Sequence, residues 1–413
     1  MKFPWWVAVF LLVGFGVVGN SGLAGKAGKE LGDDHRTYES EYGEPYETED
    51  NEAADLSNLL ADQMTPSYGK SAIKVDNVCT RRRVGDHMCP ELFILGVQKG
   101  GTSSLWVFLV TSTELKIQTG LNLYEEYAMP KEMHFFDKQS FFAEGVDSYA
   151  EHFEVRDEES QLSLDATPAY SRYARVPPLM VSTINMERSR FIITVRDPVH
   201  RGYSWYTHIL QRLIRMPRFD QAYQVFDYKF SLMSKYMPKL INECVQRWMK
   251  YPKLVFQHCW HLTDNVRRTG VLVEETGLET IYPWIPSSIF TDGLYGYMML
   301  HWFRFIRPNL FCIIFYEKLV ESFADEIQHI GPCLKPFGRE ILESDAARGL
   351  PLVNHIKCKT CKNFERLVDE ELSAVGRKLN EELFTRSNDV FRELMRDHFN
   401  RTGMADWEKA YTL

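Results

Sequence analysis

The sequence predicts an α/β domain: a parallel, P-loop-like sheet flanked by helices. Three observations carry that expectation. Four short apolar runs, LFILG (92–96), LSLDA (162–166), FIITV (191–195) and LFCIIF (310–315), lack the alternation of a strand with one wet face. Helical patterns separate them, as parallel crossovers require. Two of the runs end in a short turn and a helix start, LFILG in KGGTSS and FIITV in RDP.

In chain order, one lysine precedes an apolar run from Phe3 to Val18. A run of roughly 16 residues suits the apolar region of a signal peptide or a short signal anchor. Residues 1–27 are therefore expected to direct the chain into the secretory pathway, either retained as an anchor or cleaved. Residues 28–88 are rich in Gly, Glu and Asp, lack periodicity and read as an acidic flexible stem. Of the net charge of −8, the stretch 30–63 alone contributes 12 Asp/Glu against one Arg. The body is left near neutral, so the basic footprint of a nucleic-acid partner is absent. No linker interrupts 89–413, which reads as a single catalytic domain.

Eight cysteines fit an oxidising compartment. Cys244 with Cys259 and Cys358 with Cys361 are expected as disulfides. Cys312, inside an apolar strand, reads as a buried thiol, and the pairing of Cys79, Cys89 and Cys333 is open. A metal site is not expected, because CKTC has no second ligand pair at zinc spacing. The pattern predicts an amphipathic helix over 367–398, broken near Ser387. Asn400 opens the sequon Asn-Arg-Thr and is a candidate glycosylation site.

GVQKGGTSS is not a Walker A loop, which needs a late Gly-Lys-Ser/Thr. It can still hold an anion. Gly100 and Gly101 let backbone N–H groups approach a phosphate. Thr102, Ser103 and Ser104 add hydroxyls at a helix N-terminus, where the dipole favours negative charge. Lys99 can reach the leaving-group oxygen. In SRFIITVRDPVHRGYSW, Arg196 stands at a strand's carboxyl end and Ser204 in the following helix, a pair suited to a second phosphate.

Together the two elements resemble the sulfotransferases, whose loop takes the 5′-phosphosulfate and whose Arg and Ser take the 3′-phosphate of 3′-phosphoadenosine 5′-phosphosulfate (PAPS). KEMHFFD (131–137) resembles the NEVHFFD-type stretch of the Golgi glycosaminoglycan sulfotransferases, whose Glu is the catalytic base. LDATPAY (164–170) resembles their EKTPAY segment, with Ala166 where the heparan sulfate 3-O enzymes have lysine. GLYGYMMLHWFRF (293–305) and the late Trp407 resemble the N-acetylgalactosamine 4-sulfate 6-O-sulfotransferase branch and the family's C-terminal end. The resemblance spans about 90–410.

It implies a sulfotransferase fold and PAPS-dependent transfer, without a metal, to a hydroxyl of a polysaccharide or glycosaminoglycan-like acceptor. Glu132 would be the general base and His134 its support, with Lys99 on the leaving oxygen. Phe135 and Phe136 read as lining the acceptor cleft. It also implies a single-pass Golgi membrane protein with a lumenal domain, or a secreted one if the leader is cleaved. Two alternatives stay open: a P-loop kinase or NTPase, and a catalytically inactive, lectin-like glycan binder.

Overall fold

The structure is a computed structural model and describes residues 79, 83–84, 87–112, 115–119, 131–153, 162–213, 226–260, 288–351, 369–401 and 407. These lie in the compact unit Ala72–Leu413, which takes in the end of the stretch read as stem. The segment 1–27, most of 28–88, and Cys358 with Cys361 lie outside the described residues. Among the described residues no helix is long and apolar enough to cross a membrane.

Five parallel strands form the sheet: β1 (Leu92–Gly96), β2 (Ile117–Thr119), β3 (Leu162–Asp165), β4 (Arg190–Val195) and β5 (Phe311–Phe315). Their order is β2-β3-β1-β4-β5. Four of them are the apolar runs. β2, only Ile-Gln-Thr, is too short and polar to read from the sequence.

Both faces of the sheet are buried, which is why the runs do not alternate. Phe93 and Leu95 of β1, Phe191 and Ile193 of β4, and Phe311 and Ile313 of β5 enter one core cluster. Leu92, Ile94, Ile192, Cys312 and Ile314 enter the other. α1 (Thr102–Thr111) covers the second cluster through Leu105, Phe108 and Leu109. The first is covered by α3 (Phe226–Trp248), α4 (Pro252–Cys259), α5 (Tyr295–Trp302) and α7 (Thr385–Phe399). α2 (Pro198–Leu213) follows β4 and α6 (Asp369–Leu379) precedes α7. Ile192 is fully buried, and truncating it to Ala costs roughly 2–5 kcal/mol.

Two expectations need correction. Cys312 is not a free thiol: it is bonded to Cys333, because the short helix Gly331–Leu334 packs its cysteine into the same cluster that receives the β5 side chain. Cys79 is bonded to Cys89, and Cys244 to Cys259, the latter tying α3 to α4. The C-terminal helix does not break at Ser387. A π-helical turn, Asn380–Phe384, interrupts it one turn earlier. Ser387 is fully buried and its hydroxyl accepts the Gly296 N–H at 3.1 Å, so its polarity serves helix packing rather than termination.

Candidate active site

β1 delivers the candidate anion loop. Val97 N–H donates to Thr194 O of β4 at 2.9 Å, and Gly100 N–H turns back to Val97 O at 3.0 Å. Lys99 takes a left-handed conformation, φ 69°. Gly101, φ 92°, must lack a side chain, since a Cβ there would lie 2.7 Å from the Tyr316 ring. A Cβ on Gly100 would meet Thr194 O at 2.9 Å. The two glycines therefore let the loop seat itself against β4 and Tyr316, a packing role beyond access for an anion.

The first helical N–H bonded along α1 is that of Leu105, to Gly101 O at 3.1 Å, and the N-cap carries no side-chain acceptor. The N–H groups of the first turn are thus the donors a helix normally offers to an anion. That donor set fits a phosphosulfate. Thr102 and Ser104 are 4% and 8% exposed, so of the three hydroxyls Ser103 is the half-buried one.

The RDP turn brings Arg196 to the loop. Its guanidinium donates to Lys99 O at 3.3 Å and lies 4.6 Å from the centre of the Tyr316 ring. The Tyr295 hydroxyl donates to Arg196 O at 2.6 Å. Asp197 N–H donates to Glu317 Oε1 at 2.7 Å, so the residue two past β5 fixes the turn. Burial pushes the Glu317 carboxyl up, against the lowering pull of that amide. Ser204 sits half-buried in the second turn of α2.

The segment 131–137 meets the α1 N-terminus through Lys131. Lys131, 1% exposed, donates to Ser103 Oγ at 3.0 Å and pairs with Glu132 Oε1 at 2.9 Å. His134 joins two carboxylates: Nδ1 lies 2.8 Å from Asp137 Oδ2, and Nε2 lies 3.5 Å from Glu132 Oε2. Burial alone would raise the Glu132 carboxyl. The His134 hydrogen bond and the Lys131 charge outweigh it and hold the group down at about 2. Burial would likewise lower His134, but Asp137 and Glu132 lift it to about 9. At neutral pH this is a relay in which the His134 imidazolium bridges the Glu132 carboxylate and Asp137.

A buried carboxylate that the sequence reading did not single out builds this segment. Asp165, fully buried at the end of β3, accepts hydroxyl bonds from Thr167 (2.7 Å), Tyr149 (2.7 Å) and Tyr170 (2.8 Å). The Thr167 hydroxyl in turn accepts Met133 N–H at 2.8 Å and His134 N–H at 3.3 Å, and the Tyr170 hydroxyl accepts Phe135 N–H at 3.0 Å. Ala166 N–H donates to Lys131 O at 2.9 Å. LDATPAY is thus the cradle of KEMHFFD, and His134 is held in a left-handed conformation, φ 56°, that non-glycine residues seldom adopt. Burial raises Asp165 to about 6, against its three hydroxyl donors.

Phe135 and Phe136 do not line a cleft. They are 3% and 0% exposed, and Phe135 stacks on Tyr149 with ring centres 4.3 Å apart. Their apolar area anchors the segment in the core, since neither ring has a polar handle to hold toward water. Asp137, the third member of the relay, was missed for want of a sequence signal beyond its i+3 spacing from His134. Asn400 is exposed and caps α7 in a left-handed conformation, φ 50°. Among the described residues no group of three or more His, Cys, Asp or Glu is arranged to hold a metal.

No protein-family model matches the chain. It is similar to heparan sulfate glucosamine 3-O-sulfotransferase 3A1 of Mus musculus, 31% identical over 136 residues, 33% of this chain and 30% of that protein. Heparan sulfate glucosamine 3-O-sulfotransferase 5 of Mus musculus is 26% identical over 221 residues, 50% of this chain and 56% of that one. The membrane-associated sulfotransferase kil1 of Dictyostelium discoideum is 26% identical over 170 residues, 40% of this chain and 32% of that protein. The matched part is under a third of the length of the first of these relatives. The crystal structure of a sulfotransferase from Alicyclobacillus acidocaldarius aligns with 77% of this chain and 98% of that chain, at 17% identity and a TM-score of 0.42, too low to assign the fold. By sequence the chain is similar to heparan sulfate 3-O-sulfotransferases and to a membrane-associated sulfotransferase, at 26–31% identity and over a third to a half of its length.

Proposed function

We propose that the protein transfers a sulfuryl group from PAPS to a hydroxyl of a glycosaminoglycan-like polysaccharide, with Glu132 as general base. The observation that carries this reading is the junction at the α1 N-terminus. An uncapped anion loop and a Glu–His–Asp relay meet there through one lysine. The similarity to heparan sulfate sulfotransferases supports the acceptor class.

PAPS supplies the activated sulfuryl group and a bisphosphate leaving group. The Thr102–Ser104 N–H groups, Gly100, Gly101 and the Ser103 hydroxyl hold its 5′ end, and Arg196 with Ser204 its 3′-phosphate. Lys99 stabilises charge on the leaving oxygen. Glu132 accepts the acceptor hydroxyl's proton as that oxygen attacks sulfur, and Asp137 orients His134 so that the ring steadies Glu132. No step calls for a metal. The 1–27 segment would place the domain in the Golgi lumen as a single-pass membrane protein, or release it after cleavage. Asn400 would carry a glycan there, and a Cys358–Cys361 bridge would form.

The test is transfer from radiolabelled PAPS across a panel of glycosaminoglycans and neutral polysaccharides, with disaccharide analysis of the product. Label on a glycosaminoglycan supports the reading. Binding of glycan with neither transfer nor affinity for 3′,5′-ADP would leave a lectin-like protein in its place.

A further inference from the structure

Lys131 is placed where electrostatics oppose it. An ammonium at the N-terminus of a helix faces the positive end of the dipole, and this one is 1% exposed. A buried charge needs compensation. Glu132 supplies part of it, at 2.9 Å, and Ser103 Oγ of α1 takes a second N–H at 3.0 Å. An ammonium has three donors, and the third has no further acceptor among the described residues. Lys131 and the His134 imidazolium stand against Glu132 and Asp137, and beside them the first-turn N–H groups of α1 have no side-chain cap, so an anion would find donors there.

We propose that Lys131 is a positioning residue that links the two halves of the site: an anion seated at the Ser103 end of the loop draws the ammonium away from Glu132, and donor binding thereby turns Glu132 into a stronger base. The Glu132 contacts explain why such a device is needed. A carboxylate held at about 2 is a poor proton acceptor near neutral pH, and the Lys131 charge is one of the causes that hold it there. Sharing that charge with an incoming phosphosulfate weakens the restraint only when the donor is present. Unproductive protonation chemistry is disfavoured until then. By linkage the effect is reciprocal: ionised Glu132 and bound anion compete for one ammonium.

The inference rests on the PAPS reading, and its test separates the two. The probe is 3′,5′-ADP, whose 5′-phosphate would fill the loop. The Glu132 carboxyl is titrated by carbon NMR in carboxyl-labelled protein, assigned with Glu132→Gln, with and without saturating nucleotide. Calorimetry reports nucleotide affinity and thermal unfolding reports folding. In the wild type 3′,5′-ADP should raise the Glu132 midpoint by at least about one pH unit more than in Lys131→Gln, because the variant keeps the direct repulsion of the anion and lacks the shared ammonium. Should Lys131→Gln fail to fold, Ser103→Ala makes the same comparison, keeping the lysine but removing its hold on the loop. Equal shifts in wild type and variant, with nucleotide bound to both, overturn the coupling alone. A wild type that does not bind 3′,5′-ADP overturns the donor reading and the coupling with it.

Discussion

The two halves of the candidate site are built differently. The loop 97–104 is set by backbone: it leaves β1, bonds to Thr194 of β4 and enters α1, and its shape follows from where two strands end. The segment 131–137 is irregular apart from a turn, and buried side chains hold it, through Asp165 and the hydroxyls of Thr167 and Tyr170. A side chain in the loop can therefore be removed with the loop's shape intact. A side chain in the cradle carries shape and chemistry together, because the Thr167 and Tyr170 hydroxyls each donate to Asp165 and accept a backbone N–H.

Five changes sharpen or break that contrast. The largest effect is expected at Glu132, the chemical group of the side-chain-built half. Glu132→Gln keeps the outline and removes the basicity, so kcat should fall roughly 10²–10⁴-fold while 3′,5′-ADP affinity holds. Near-normal turnover in that variant would falsify the general-base assignment.

Next comes Arg196, from the backbone-built half. Arg196→Ala should weaken 3′,5′-ADP by roughly 10- to 100-fold, the value of a charge-assisted hydrogen bond of ~1.5–3 kcal/mol, without loss of fold. Calorimetry with unchanged affinity removes the second phosphate contact. Lys99→Ala, by contrast, should act on turnover.

Asp165→Asn tests whether the cradle is a shape device. An amide can accept fewer of the three hydroxyl donors, and unfolding in urea should show a loss of about 1–3 kcal/mol. Turnover per folded molecule should fall with it, since Met133, His134 and Phe135 are hung from that network. Lost stability with full specific activity would show that the segment holds its place by aromatic packing alone.

The smallest effect is a pH dependence. Lifted from 6.5 to about 9, His134 binds its proton more tightly folded than unfolded. Its stabilisation is complete below pH 6.5 and is lost as pH rises to 9, on the order of 1–3 kcal/mol. Glu132, held from 4.5 down to about 2, has the opposite sign: its contribution is present above pH 4.5 and is lost as pH falls toward 2. His134→Asn should flatten the alkaline decline in a series of thermal melts. A wild type equally stable at pH 6 and 9 contradicts the relay as described.

The sequence by itself determined the parts that local chemistry specifies. Continuous apolar runs are what a strand covered on both faces requires, so four of the five strands were legible, and with them the loop and the RDP turn at their carboxyl ends. Glu132 and His134 were legible as a motif. Tertiary structure decided whatever depends on residues far apart in the chain. β2 exists because its three residues pair with β3. Cys312 is bridged because a distant helix brings Cys333 to it. Ser387 continues a helix because Gly296 needs its hydroxyl. The two phenylalanines of KEMHFFD turn inward because Tyr149 and Tyr170 offer them rings to pack on. The Lys131 contact spans 28 positions to Ser103, and the Asp165 network reaches its segment through the side chains of Thr167 and Tyr170. Propensity and periodicity describe neighbours along one element; a buried charge finds its partner through the packing of several.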